Sequence, residues 1–199
     1  MYPMIQQRFK AQVTSFITPI CRLLLRVGIS ANAITIIGAL GVAFSAIYFF
    51  AMGYFFVGTM VVSLFALSDL FDGTMARLSE THGTKWGALL DSTLDRVSDA
   101  AIVIGIWVYL FEEGSDLHLL AVAVLFLSGL IPYIRAKAES LGISCSVGIA
   151  ERAERLIILL VGTGLYGLGL DSAMPISLTL LTLLSLVTVF QRLRIVQKA

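Results

Sequence analysis

Residues 54–76 read "YFFVGTMVVSLFALSDLFDGTMA". No charge interrupts the run before Asp69, and Asp72 follows it within one helical turn. A segment of this length and polarity matches the ~20 apolar residues that cross a hydrocarbon core as a helix. Windows of the same kind lie near 33–52, 88–111, 117–136, 155–170 and 175–191, so six spanning helices are predicted. The composition agrees, with 58% hydrophobic and only 14% charged residues and a mean hydropathy of +0.92. About a quarter of residues are charged in an average soluble domain. In lipid, every backbone polar group must be bonded within its own segment or within a closed barrel, and these runs are too long for barrel strands of ~10 residues. The expected fold is an all-α integral membrane protein forming one domain over residues 1–199. Its parts are an interfacial N-terminal segment at 1–28 and a six-helix bundle at 31–197.

Lys and Arg close to helix ends stay on the cytoplasmic side of a membrane, and here their distribution is wholly one-sided. Arg8, Lys10, Arg22 and Arg26 precede the first window; Arg77, Lys85 and Arg96 surround the second connection; Arg135, Lys137, Arg152 and Arg155 surround the fourth; Arg192, Arg194 and Lys198 follow the sixth. The other connections, around "AMGY", "EEGSDLH" and "GLDSAMP", contain acids, His118 and neutral residues but no Lys or Arg. Both termini are therefore expected in the cytoplasm, on a multi-pass protein of the cell membrane.

The first 28 residues do not read as a secretory signal, because Gln6, Gln7, Arg8, Lys10 and Gln12 interrupt any apolar core of one. Ile5, Phe9, Val13, Phe16, Ile17, Ile20 and Leu24 recur at three- and four-residue steps, the pattern of an amphipathic helix lying in the headgroup plane. Pro19 is expected to kink or divide it. Cys21 and Cys145 both map to the reducing cytoplasmic side, so no disulfide is expected. His82 and His118 fall on opposite sides and neither has a partner at zinc-ligand spacing.

Asp69 and Asp72 are three residues apart, Asp91 and Asp95 four apart, so each pair shares one helix face. The short link between them, with Gly83 for a turn, makes the two helices antiparallel neighbours and lets the pairs converge. Four facing carboxylates repel unless cations lie between them. Hard divalent ions are the natural occupants. Mg²⁺ takes few carboxylates and completes its octahedron with water and substrate phosphate, and two ions ~4 Å apart would suit four carboxylates. Gly73 and Ala76 keep the helix surface low, Gly87 clears the surface where the helices meet, and Arg77 offers a forked donor for phosphate oxygens. A single Asp at a helix end is usually a cap. Four at two helical spacings point to a phosphoryl-handling site, with a cation-coupled transporter as the rival reading. Asp99 continues the Asp91 and Asp95 face one turn further, as outer support for the site or as a structural pairing.

"DLFDGTMAR", nine residues, then "GALLDSTLD" resembles the signature of the CDP-alcohol phosphatidyltransferases, D-x-x-D-G-x-x-A-R followed by G-x-x-x-D-x-x-x-D, at all its fixed positions. The resemblance implies that Asp69, Asp72 and Asp91 bind two Mg²⁺ ions, with Mn²⁺ as the alternative, and that Asp95 is the general base and also touches the second ion. It implies CDP-diacylglycerol contacts at Gly73, Arg77 and Thr84, and at Asn32, Ala33, Ile34 and Thr35, where helix-start N–H groups would meet the diphosphate. The implied chemistry is attack of an acceptor alkoxide on the lipid-side phosphorus, with CMP leaving.

The acceptor is read from the remaining basic residues. Arg135, Lys137, Arg155 and Arg192, at the ends of three helices, would build a cationic pocket that a neutral alcohol does not need and a phosphorylated acceptor does; the bland reading is positive-inside charge. "YIRAKAES", "ERAERLI", "FQRLR" and "TPICRLLLRVGIS" resemble the actinobacterial phosphatidylinositol-phosphate synthases. That resemblance implies inositol phosphate as acceptor, those four residues as its phosphate ligands, and a homodimer among membrane lipids with no nucleic-acid partner. The alternative acceptor is glycerol phosphate.

Overall fold

The computed structural model describes residues 16–79 and 84–199, and all regular structure among them is helical. Residues 16–26 form α1. It is followed by α2 (Ala31–Ser45), a π-helical continuation at Ala46–Phe50, α3 (Phe55–Ala66), α4 (Ser68–Leu78), α5 (Lys85–Glu112), α6 (Leu117–Ser140), α7 (Arg152–Gly167) and α8 (Ala173–Lys198). The expected interfacial residues before Phe16, and His82 and the Gly83 turn, lie outside the described residues.

Among the described residues four stretches are long and apolar enough to cross a membrane: Ala31–Phe50, Phe55–Leu78, Leu117–Ser140 and Ala173–Lys198. The second joins α3 and α4 through Leu67, whose backbone stays in the right-handed helical region. Of the remaining predicted windows, α5 gathers Asp91, Asp95, Arg96 and Asp99 within nine consecutive residues. The 16 residues of α7 reach only about 24 Å at 1.5 Å per residue, short of a ~30 Å core. Large apolar side chains face outward where a soluble bundle would carry charge, among them Leu40, Phe44, Met60, Phe126, Ile176 and Phe190.

The chain packs as two compact units, Met1–Gly41 with Leu64–Asp95, and Val42–Ser63 with Arg96–Ala199. In the first unit, Ile17, Cys21 and Met75 form a buried cluster with Leu24, Leu25, Ile29, Ile34 and Phe71 packed around it. Helix α1 runs through Pro19 without a break among its described residues. Its apolar surface is also wider than one stripe. Ile17 and Cys21 point inward while Phe16, Ile20, Leu23 and Val27 are exposed.

Gly28, at φ +85°, ends α1: its N–H bonds Leu25 O and that of Ile29 bonds Leu24 O, the paired bonds of a left-handed glycine cap. Two residues later Ser30 Oγ accepts the N–H of Ala33 and starts α2. A Cβ on Gly38 would collide with the Ser68 side chain, so glycine there sets how closely α2 approaches α4. Burial pushes the Cys21 thiol up from its ordinary range, against the lowering effects of a backbone hydrogen bond and the Arg77 charge.

In the second unit α8 packs along α6 and α7, around a core that includes Phe50, Ile106, Ile131, Met174, Leu178 and Leu181. Close crossings again fall on small residues. A Cβ on Gly105 would meet the carbonyl of Ala46, and one on Gly162 would meet Ser177. Thr59 and Thr163 share a buried hydrogen bond of 2.7 Å, which satisfies both hydroxyls where no water competes.

Candidate active site

In the first unit a cavity of about 340 Å³ is lined by Asn32 and Thr35 from α2, Asp72, Gly73 and Ala76 from α4, and Thr84, Gly87 and Asp91 around the start of α5. Each wall has a local cause. Ser30 caps α2, so its first turn opens on the cavity. Thr84 Oγ1 accepts the N–H of Gly87 at 2.9 Å, the same device at the head of α5. Gly73 leaves its side of α4 open: a Cβ there would meet only the Arg77 guanidinium, at 3.9 Å. At Gly87 a Cβ would stand 3.0 Å from Asn32 Oδ1 and 3.2 Å from Thr84 Oγ1. Glycine at that point therefore lets the Asn32 amide approach α5.

Asp72 is the buried carboxylate of the site, 8% exposed, and its Oδ2 accepts the Thr35 hydroxyl at 2.7 Å. A charged acceptor makes this the short, strong kind of hydrogen bond. Arg77 is exposed and reaches back to Thr74 Oγ1 at 3.1 Å. Of the expected metal ligands, Asp72 and Asp91 line the cavity, while Asp69 and Asp95, each half-buried on α4 and α5, are outside its lining. Ala33 and Ile34 lie on the first turn of α2 and also outside it. Among the described residues no three Asp, Glu, His or Cys side chains are gathered closely enough to hold an ion. Mutual repulsion keeps carboxylates from converging unaided. The donor set facing the cavity is nevertheless all oxygen, with a buried carboxylate already oriented, and this fits a hard divalent cation.

The second unit holds the four basic residues assigned to the acceptor, in two different settings. Arg135 and Lys137 are exposed at the end of α6, with Arg135 Nε bonded to Glu139 at 2.9 Å. Arg155 and Arg192 are buried, 6% and 3% exposed. Arg155 Nη1 donates to the Ala150 carbonyl at 2.9 Å, and its Nη2 lies 3.8 Å from Asp99. Arg192 Nε donates to Val147 O at 2.8 Å and Nη1 to Ile131 O at 2.6 Å, and Nη2 stands 3.9 Å from Glu151. The connection before α7 is thus pinned to α8, with help from Thr188 Oγ1, which accepts the N–H of Ala150. Two residues absent from the expected set, Asp99 and Arg152, are paired here at 3.3 Å. Arg152 stands three positions before Arg155 on one helix face, a spacing already visible in the sequence.

A model of the CDP-alcohol phosphatidyltransferase family matches residues 28–192, which takes in every residue of the cavity but Leu25. The chain belongs to the CDP-alcohol phosphatidyltransferase family. Among these phosphatidyltransferases it is similar to the phosphatidylinositol phosphate synthase of Streptomyces avermitilis, 40% identical with 98% of this chain and 83% of the relative covered. It is 38% identical to that of Cutibacterium acnes, covering 97% and 98%. The crystal structure of Mycobacterium tuberculosis phosphatidylinositol phosphate synthase with CDP-DAG bound is similar with a TM-score of 0.85 and 39% identity, over 90% of this chain and 92% of that one. The same enzyme in complex with manganese and citrate gives 0.86 and 39%, over 90% and 88%. The chain is thus an enzyme of the CDP-alcohol phosphatidyltransferase family, and the relatives it resembles here are phosphatidylinositol phosphate synthases.

Proposed function

We propose that the protein transfers the phosphatidyl group of CDP-diacylglycerol to the hydroxyl of inositol phosphate, giving phosphatidylinositol phosphate and CMP. The observation that carries this reading is the cavity that joins Asp72 and Asp91 to Asn32, Thr35, Gly73 and Thr84. An acidic wall and a helix-start wall facing one space suit a metal-dependent diphosphate. Two structures of one relative, with CDP-DAG and with manganese and citrate, support the donor and the use of a divalent ion.

Asp69, Asp72, Asp91 and Asp95 would hold two Mg²⁺ ions, or Mn²⁺ in their place. When bound, the ions supply positive charge against the diphosphate and the departing CMP. The first turn of α2, with Asn32, Ala33, Ile34 and Thr35, and the Gly73, Arg77 and Thr84 positions hold the CDP moiety. Asp95 takes the proton of the acceptor hydroxyl; the oxygen attacks the lipid-side phosphorus, that P–O bond forms, the bond to the CMP oxygen breaks, and CMP leaves. An unperturbed Asp is a weak base near neutral pH, so positioning supplies most of the effect. Arg135, Lys137, Arg155 and Arg192 offset the charge of the acceptor's phosphate.

The same reading takes residues 1–199 as one membrane domain with six spans behind an interfacial amphipathic segment. Both termini and the active site face the cytoplasm of a cell membrane, and the enzyme is a homodimer among lipids. One-sided Lys and Arg support the orientation. The test is CMP release by purified protein from CDP-diacylglycerol with inositol phosphate, glycerol phosphate or inositol as acceptor, with the lipid product identified.

A further inference from the structure

Asp99 is not among the residues that line the carboxylate cavity. It lies on α5 within the second unit, where its two oxygens face different arginines. Oδ1 accepts Arg152 Nε at 3.3 Å, and Oδ2 stands 3.8 Å from Arg155 Nη2. Its side chain is 14% exposed and that of Arg155 8%, so this pairing is poorly screened by solvent. Together with Ser128, Leu156 and Leu159 the three line a cavity of about 20 Å³, room for about one water. Arg155 is fixed at two points, Nη1 on the Ala150 carbonyl and Nη2 beside Asp99. The neighbouring charges are mostly like its own, with Arg96, Arg152 and Arg192 all acting on it. A guanidinium among three others is pushed away from the cluster unless an acid retains it.

We infer that Asp99 is a positioning residue: it anchors Arg155, and with it Arg152, so that the guanidinium donors are already oriented when the phosphate of the acceptor arrives. The inference rests on the proposed acceptor and deepens it. It also has a sign that a purely electrostatic role lacks. If Asp99 were only a nearby negative charge, removing it would make the surroundings more cationic and strengthen binding of an anionic acceptor. If it positions Arg155, removing it weakens that binding, because the arginine is freed to turn toward other acceptors and its ordering is lost each time the phosphate binds.

The experiment measures KM and kcat for inositol phosphate, and KM for CDP-diacylglycerol, in wild type, Asp99→Asn and Asp99→Glu. Asp99→Asn is expected to raise KM for inositol phosphate about tenfold, the scale of one hydrogen bond to a charged group, with KM for CDP-diacylglycerol unchanged. Asp99→Glu, which keeps the carboxylate, is expected to recover most of the loss. Where Asp99→Asn does not accumulate, Asp99→Ser carries the same expectation, since KM does not depend on the amount of active enzyme. A KM for inositol phosphate at or below wild type in the uncharged variant, or a Glu variant no better than the uncharged one, overturns the inference. The wild-type comparison separates the two levels. No advantage of inositol phosphate over inositol there means that the acceptor reading has failed. A clear advantage, combined with an unaffected Asp99→Asn, means that the positioning role alone has failed.

Discussion

Thr35→Val removes a single hydroxyl from the buried contact between α2 and α4 and leaves the side-chain shape almost unchanged. That hydroxyl has two acceptors in reach, Ala31 O at 3.1 Å and Asp72 Oδ2 at 2.7 Å, but only one proton. The shorter contact to a charged acceptor takes it. Both residues are only 8% exposed, and hydrogen bonds to charged groups are worth ~1.5–3 kcal/mol. If Asp72 is a metal ligand, Thr35 is the outer partner that fixes its carboxylate, and loss of such partners typically weakens metal binding ~10–100-fold. The Mg²⁺ concentration giving half-maximal CMP release should rise by that factor in Thr35→Val, and saturating Mg²⁺ should return turnover to within a few-fold of wild type. Thr35→Ser retains the hydroxyl and should stay near wild type. A Thr35→Val enzyme with the wild-type Mg²⁺ profile, or a Thr35→Ser enzyme as impaired as Thr35→Val, would show that Asp72 is not held for a metal by Thr35.

Asp95→Asn should abolish CMP release while CDP-diacylglycerol binding is largely kept, because it removes the base; Asp69→Asn should weaken metal-dependent nucleotide binding as well. Normal turnover by Asp95→Asn would remove the base assignment. Cysteine-accessibility mapping should place sites near Lys85, Cys145 and the C-terminus on the cytoplasmic side and sites near Asp116 and Asp171 on the other. Labelling of Lys85 and Cys145 positions from opposite sides would overturn the six-span reading.

Four of the six apolar windows correspond to stretches long and apolar enough to span, as at Ala31–Phe50 and Leu117–Ser140, because lipid imposes a continuous run on any spanning helix. The acid pairs were legible for a similar reason, since three- and four-residue spacings are helical neighbours whatever the tertiary structure. What pattern reasoning could not reach is contact between distant elements. The Thr35–Asp72 bond joins residues 37 positions apart. The donors of Arg192 go to backbone carbonyls of Ile131 and Val147, and a carbonyl leaves no mark in a sequence. Among its described residues α1 continues through Pro19, so the division that the residue type alone allows does not occur there. On α1, Ile17 and Cys21 are buried while Phe16 and Ile20 are exposed, a division between two apolar faces that residue spacing alone does not specify.

The acceptor is the central claim, and the relative efficiency of inositol phosphate and inositol tests it most directly. With purified protein, CDP-diacylglycerol and Mg²⁺, kcat/KM from CMP release should favour inositol phosphate by about ten- to a hundredfold, the value of one or more charge-assisted phosphate contacts. The lipid formed should be phosphatidylinositol phosphate. Equal efficiency for inositol, or a preference for glycerol phosphate, would contradict the account.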